Sequence, residues 1–136
     1  MAFVAGDLTE ITYNHPDVGT GRFYPKAGED GTFDLGGYTS NDDAQMIAGN
    51  GGMIDQMNAK RWSLEATVAW DMNDTNELDN LRKLASSPKP ATWTVTHING
   101  TVWGATGKPV GDVQGNSNAG TIGLKISGGG VMAKIA

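Results

Sequence analysis

The chain contains no cysteine, so its fold cannot depend on disulfides and it cannot bind a metal through thiolates. Basic residues are also scarce: 10 Lys and Arg stand against 15 Asp and Glu, which gives a formal net charge of −5. Proteins that bind nucleic-acid phosphates usually present a basic patch. This balance therefore argues against sequence-specific recognition of DNA.

Long apolar runs are missing as well. No segment approaches the roughly 18 apolar residues that cross a membrane as a helix. The start, Met1 to Gly6, has neither the basic region nor the apolar run of a signal peptide. We therefore expect a soluble chain.

Glycine, in contrast, is abundant, with 20 of 136 residues against about 7% in an average protein. This excess predicts many turns, short strands and close backbone contacts. The length suits one domain, and we predict a single domain over residues 1–136.

Period-two alternation gives the strongest structural signal. In residues 60–72, one face of a predicted strand carries Trp62, Leu64, Ala66, Val68 and Trp70. The opposite face includes Arg61 and Glu65, which we expect to face solvent or a neighbouring subunit. Further strands are predicted at 7–14, 120–127 and 131–135.

Two predicted hairpins follow from turn residues. Residues 91–98 and 101–105 flank Asn99-Gly100, a pair that favours a type I′ turn. The step 29–31 (EDG) suggests a turn between short strands around Phe23 and Phe33.

One helix is predicted at 75–85, with Asp74 or Thr75 as its N-cap and Ser86-Ser87-Pro88 ending it. The fold class is therefore mainly β, a β-sandwich or barrel with one flanking α-helix. The predicted core comprises Trp62, Leu64, Val68, Trp70, Leu78, Leu81, Trp93, Ile122 and Leu124.

Residues 38–52 (YTSNDDAQMIAGNGG) form a long loop or projecting hairpin. A loop of this length in a compact domain is usually mobile or engaged with a partner. We predict that it mediates assembly, through Tyr38, Asn41, Asp42, Asp43, Met46, Ile47 and Asn50.

The sequence offers little evidence of a catalytic or metal-binding site. Asp71, Asn73, Thr75 and Glu77 have the alternate spacing of a calcium loop, but the glycine and the final glutamate of such a loop are absent, so capping of the helix is favoured. His15 and His97 lack partners at metal-ligand spacing. We predict no enzyme activity, no metal and no cofactor.

Several segments follow one another along the chain: residues 31–37 (GTFDLGG), the long loop, 51–71 (GGMIDQMNAKRWSLEATVAWD), the helix and 120–130 (GTIGLKISGGG). Together and in this order, they resemble a bacteriophage tail tube protein. The resemblance covers residues 30–136 and is nearest to the short tube subunits of contractile-tailed phages, which are related in fold to the Hcp tube protein of type VI secretion.

The resemblance implies six-membered rings that stack into a hollow tube in the virion tail, made in the host cytoplasm. Implied partners are further copies of the chain, the sheath protein, the tape-measure protein and the baseplate or tail initiator proteins. DNA would pass through the lumen without specific binding, and an acidic wall would repel its phosphates. In such a tube, Arg61 and Glu65 are candidates for the lumen or the outer surface.

Two alternatives stay open. One is an Hcp-like secretion tube subunit, which shares this fold. The other is a carbohydrate-binding β-sandwich that uses Trp103 and the Asn/Asp-rich loop at Asn41.

Overall fold

The computed structural model describes residues 3, 5–41, 45–71, 73 and 76–135. The strands are β1 Leu8–His15, β2 Gly19–Phe23, β3 Thr32–Asp34, β4 Gly37–Ser40, β5 Met46–Ile47, β6 Met53–Ile54, β7 Met57–Lys60, β8 Trp62–Ala69, β9 Ala91–His97, β10 Val102–Pro109, β11 Gln114–Asn116, β12 Thr121–Gly128 and β13 Ala133–Lys134, and the helix is α1 Asn76–Ser86. The prediction of a mainly β fold with one helix is confirmed.

The main sheet is antiparallel and curls into a barrel. Its strands follow the order β2-β1-β9-β10-β12-β8-β3, with β11 beside β12 and β13 beside β10. The residues after β2 then pair with β8: the Lys26 N–H donates to the Thr67 carbonyl at 2.8 Å, and the Ala69 N–H donates to the Tyr24 carbonyl at 2.7 Å. These bonds join the first strand of the path to β8 and close the barrel.

The alternating strands bury their apolar faces inside this barrel. Trp62, Leu64 and Val68 of β8 and Trp93 of β9 are fully buried. The two tryptophans keep their indole N–H groups bonded, Trp62 to the Thr106 carbonyl at 3.0 Å and Trp93 to the Gly107 carbonyl at 2.9 Å. Satisfying these donors lets such large side chains lie in the core without a desolvation cost.

The predicted core residues differ in how deeply they are buried. Leu81, Ile122 and Leu124 lie in the core, whereas Trp70 and Leu78 are partly buried and pack against it. Helix α1 presents Leu81 and Leu84 to the barrel. The predicted N-cap residues, Asp74 and Thr75, lie outside the described residues.

The β9–β10 turn differs from the predicted type. Only glycines have positive φ among the described residues, so Asn99 is not left-handed, whereas Gly100 has a φ of +89°. The Gly100 N–H donates to the His97 carbonyl at 2.9 Å, and the His97 N–H donates to the Thr101 carbonyl at 2.8 Å. This is a three-residue loop in which a turn precedes a glycine bulge, so the type I′ prediction was wrong.

The predicted turn at 29–31 does not join a hairpin either. Strand β2 pairs with β1, whereas β3 pairs with β8. Residues 24–26 and β3 pair with successive parts of the same edge of β8, so the residues between them form a loop along that edge.

Candidate assembly surface

A two-stranded arm, described over residues 37–41 and 45–60, extends from the barrel. Its base strands β4 and β7 pair Gly37 with Lys60 and Ser40 with Met57. This is the same register as in the β3–β8 pair, where Asp34 faces Ser63. The arm is therefore the β3–β8 hairpin continued beyond the barrel, leaving at the N-terminal end of β8.

The root of the arm is held by a small polar cluster. Lys60 Nζ lies 2.5 Å from Asp34 Oδ2, and the Gly36 N–H donates to Asp34 Oδ1 at 3.0 Å. The Lys60 hydrogen bond, followed by the Gly36 N–H, holds the pKa of Asp34 below its usual value. These contacts connect both limbs of the arm, at Gly36 and Lys60, to Asp34, the last residue of β3.

Position 36 accommodates glycine but not a residue with a side chain. Its φ is +76°, and a Cβ there would lie 2.7 Å from the Trp62 nitrogen, 2.9 Å from the Gly130 oxygen and 3.0 Å from the Lys60 oxygen. All three atoms belong to backbone, which cannot move aside as a side chain can. The root of the arm therefore requires glycine.

The described part of the arm carries several large apolar side chains that are exposed to solvent. Tyr38 and Ile47 are 72% and 71% exposed. The full set of exposed large apolar residues on the arm is Tyr38, Met46, Ile47, Met53, Ile54 and Met57. Several large apolar side chains exposed on one short hairpin mark an interaction site in a folded protein.

Polar side chains give the arm its shape. Asp55 accepts hydrogen bonds from Gln45 Nε2 at 2.8 Å and from the Ser40 hydroxyl at 3.3 Å. At the tip, the Ala48 N–H donates to the Gly52 carbonyl at 2.7 Å. The hairpin is thus organised by its own hydrogen bonds, which lowers the ordering cost of binding a partner through it.

The residues predicted for assembly fall on this arm. Tyr38, Asn41, Met46, Ile47 and Asn50 lie on its first limb and tip, whereas Asp42 and Asp43 lie outside the described residues. The second limb, with Met53, Ile54 and Met57, was not among the residues predicted for assembly. Its signal was three large apolar residues without strand alternation, next to a glycine-rich turn.

An open groove lies beside α1 on the barrel. It encloses about 710 Å³ between the helix and the loop 111–113. Its apolar lining is Trp70, Leu78, Ala85 and Val113, and Asp79, Arg82 and Asp112 add charge at its rim. We call it the α1 groove.

The two residues predicted for the lumen or surface lie apart. Arg61 is exposed and lines a second groove of about 650 Å³ together with Lys108, Pro88 and Pro90. Glu65 is exposed on the outer face of β8 and lies 3.0 Å from Lys125 Nζ. Whether either residue faces a lumen stays a prediction.

The histidines occupy structural positions. His15 is buried, and its Nδ1 accepts the backbone N–H of Asp17 at 3.0 Å and that of Val18 at 3.1 Å. His97 Nδ1 accepts the Asn99 N–H at 3.3 Å in the β9–β10 turn. Among the described residues, no three His, Asp or Glu side chains converge in a way that could hold a metal ion.

Two further candidate residues from the sequence, Asp71 and Trp103, have structural roles. Asp71 Oδ1 accepts the Asn73 N–H at 2.9 Å, which is a local turn just before α1. Trp103, the candidate sugar-binding residue, is half-buried in β10 and packs against the core. No helix in the described part of the chain is long and apolar enough to span a membrane.

Neither a scan against protein-family models nor a search of curated proteins found a match to this chain.

Proposed function

We propose that this chain is the subunit of a bacteriophage tail tube, which forms six-membered rings that stack into a hollow conduit for DNA ejection. The observation that carries the proposal is the arm, a self-organised hairpin with six exposed large apolar side chains. A monomeric protein gains nothing from displaying such a surface, whereas a subunit of a polymer needs one.

The barrel supports the same function. Among the described residues, the closed antiparallel body leaves few unpaired strand edges, and the arm and the short strands β3, β11 and β13 offer edges that can pair with neighbours. The partners are further copies of the chain, with the sheath, tape-measure and baseplate initiator proteins around the tube. The chain acts without catalysis, metal or cofactor.

Charge is compatible with a DNA conduit. The formal net charge is −5, and a duplex that must slide through a tube is not retained by a wall of like charge. A secretion-system tube would use the same assembly, and the neighbouring genes distinguish the two machines.

Electron microscopy of the purified chain tests this function. Negative-stain images over a range of concentrations, with light scattering on the same samples, are expected to show hollow tubes or stacked rings. The same images would be recorded after adding tail initiator proteins encoded beside the chain. Particles that stay monomeric both with and without the initiators contradict the proposal.

A deletion tests whether the arm is responsible. Removing residues 42–50 takes away most of the tip and its first limb, and we expect a folded subunit that forms no tubes. Circular dichroism checks the fold, and Ile98→Asn is the matched control because Ile98 is a large apolar residue, 55% exposed, that lies off the arm. Tube formation by the deletion variant would show that assembly uses another surface.

A further inference from the structure

We propose that the α1 groove binds the tip of the arm of a second copy of this chain. The tip is the β5–β6 hairpin, with Met46 and Ile47 on one strand and Met53 and Ile54 on the other. This inference rests on the proposed function, since it identifies the receptor for the arm within the assembly.

The positions of the arm and the groove make them unable to meet within one copy. The arm leaves the barrel at the N-terminal end of β8 and continues the strand ladder outward. The groove includes Trp70, which follows the C-terminal end of the same strand. An eight-residue strand separates these ends by about 26 Å, and the arm runs in the opposite direction.

The arm of a second copy could reach the groove if that copy is displaced along the direction of β8. Its arm would extend past the end of its own barrel and lie along the flank of the first copy, where the α1 groove opens. The surfaces in contact are different, so the contact is heterologous and each copy can both give and receive an arm. Repetition of such a contact produces a polymer rather than a closed pair.

The dimensions of tip and groove agree. The groove runs along α1 from Leu78 to Ser86, which is about 12 Å of helix. The tip is a pair of two-residue strands with a strand spacing of about 4.8 Å, so it fits the groove lengthwise.

The chemistry of the two surfaces also agrees. Trp70, Leu78, Ala85 and Val113 give the groove apolar walls, and Met side chains in the tip adapt readily to an irregular apolar surface. Burial of tip and walls together removes apolar area of both from water.

Charges at the rim favour an acidic occupant on one side. The described residues of the arm carry one acidic side chain, Asp55, and their one basic side chain, Lys60, pairs with Asp34 at the root. Arg82 makes no ion pair with any residue that the structure describes, whereas Asp79 is bound to Lys83 at 3.3 Å. Arg82 is therefore the available partner for an arm carboxylate, and Asp112 on the opposite lip can accept N–H groups from the arm.

Cysteine cross-linking tests the contact, because the chain has no cysteine of its own. Ile47→Cys places a thiol at the tip, and Ala85→Cys places one in the groove. The two variants carry different affinity tags and are mixed under assembly conditions and oxidised. The control receptor is Val110→Cys, in the second groove beside Arg61 and Lys108.

We expect a disulfide-linked pair of the two tagged chains from the Ile47→Cys and Ala85→Cys mixture. Its yield should exceed that with Val110→Cys by about tenfold, because docked thiols react at a high effective concentration. Arg82→Glu in the Ala85→Cys chain should lower the yield several-fold through like-charge repulsion, whereas Arg61→Glu in the same chain should leave it unchanged.

The outcomes separate this proposal from the proposed function. Tubes that form with no preference for Ala85→Cys, or with preference for Val110→Cys, overturn the docking and leave the tube function standing. Selective cross-linking into chains that never form tubes supports the docking and counts against the tube function. Neither tubes nor selective cross-links would overturn both.

Discussion

At the scale of single residues, His15 holds three segments of the chain together. Its Nδ1 accepts two backbone N–H groups in the β1–β2 turn, so Nε2 carries the proton and donates to the Lys89 carbonyl at 3.0 Å. The bond to Lys89 fixes the linker between α1 and β9. A histidine before proline thus serves the fold rather than a metal site.

His15→Ala should lower the free energy of unfolding by about 2–4 kcal/mol, because it leaves two backbone donors and one carbonyl without their partner. Urea denaturation measures the change. His15→Asn is the control, since asparagine can accept the N–H two residues along in an Asx turn and should restore part of the loss. Equal losses in both variants would show that these N–H bonds are unimportant.

Asp34 gives the chain an acid-sensitive contact. Because Lys60 and the Gly36 N–H lower its pKa in the folded state, its contribution to stability is present above the ordinary aspartate pKa. That contribution is lost as the pH falls through the lowered folded pKa. We expect Asp34→Asn to be less stable than the wild type at pH 7 and to match it at the acid end.

Melting temperatures of both proteins between pH 2.5 and pH 7 measure this effect. The difference between wild type and Asp34→Asn should shrink as the pH falls below about 4, the region of aspartate titration. A difference that stays constant over this range would contradict a role for the ionised carboxylate.

At the scale of elements, the arm depends on the backbone at its root. Gly36→Ala should destabilise the protein and displace the arm, because the added methyl meets three backbone atoms at 3.0 Å or less. Gly28→Ala is the matched control: Gly28 has a φ of +78°, but nothing lies within 4 Å of its Cβ position. Both variants suffer the left-handed backbone strain, of order 1 kcal/mol, and only Gly36→Ala adds a clash.

Urea midpoints and tube formation are the two measurements for this pair. We expect Gly36→Ala to lose more stability than Gly28→Ala and also to lose assembly, while Gly28→Ala still assembles. If the two variants behave alike, close packing at the root of the arm does not matter.

Sequence periodicity predicted the elements whose environment is regular. Strands β8 and β9 alternate apolar and polar residues along the sequence, and the apolar residues at Trp62, Leu64, Trp93 and Val95 lie in the core. Helix α1 was placed to within one residue at each end, since Ser86-Ser87-Pro88 ends it. These signals are local, so they can be read from one sequence.

Other parts of the fold depend on contacts between segments that are distant in sequence, so local patterns could not predict them. Closure of the barrel through Tyr24 and Lys26 rests on β8, more than forty residues further along the chain. The type of the β9–β10 turn followed from a bulge at Gly100 rather than from Asn-Gly alone. The second limb of the arm was not predicted as an assembly surface, because its large apolar residues are exposed and the sequence rules for core positions do not anticipate this.

At the scale of the whole molecule, the strength of one arm contact limits how the chain can assemble. Burying the exposed parts of six large apolar side chains contributes about 6–10 kcal/mol. Association costs about 4–15 kcal/mol in lost translational and rotational freedom. In the proposed assembly, one arm contact alone would therefore hold two subunits weakly, and a stable ring would require that each subunit both gives and receives contacts.

The central claim is that the arm drives self-association, and sedimentation velocity over a range of concentrations tests it most directly. The wild type and Ile98→Asn should convert cooperatively from monomers to large particles as the concentration rises. The double variant Ile47→Asn/Met53→Asn should stay monomeric with an unchanged circular dichroism spectrum. A wild type that is monomeric at every concentration, or a double variant that assembles as the wild type does, would contradict the claim.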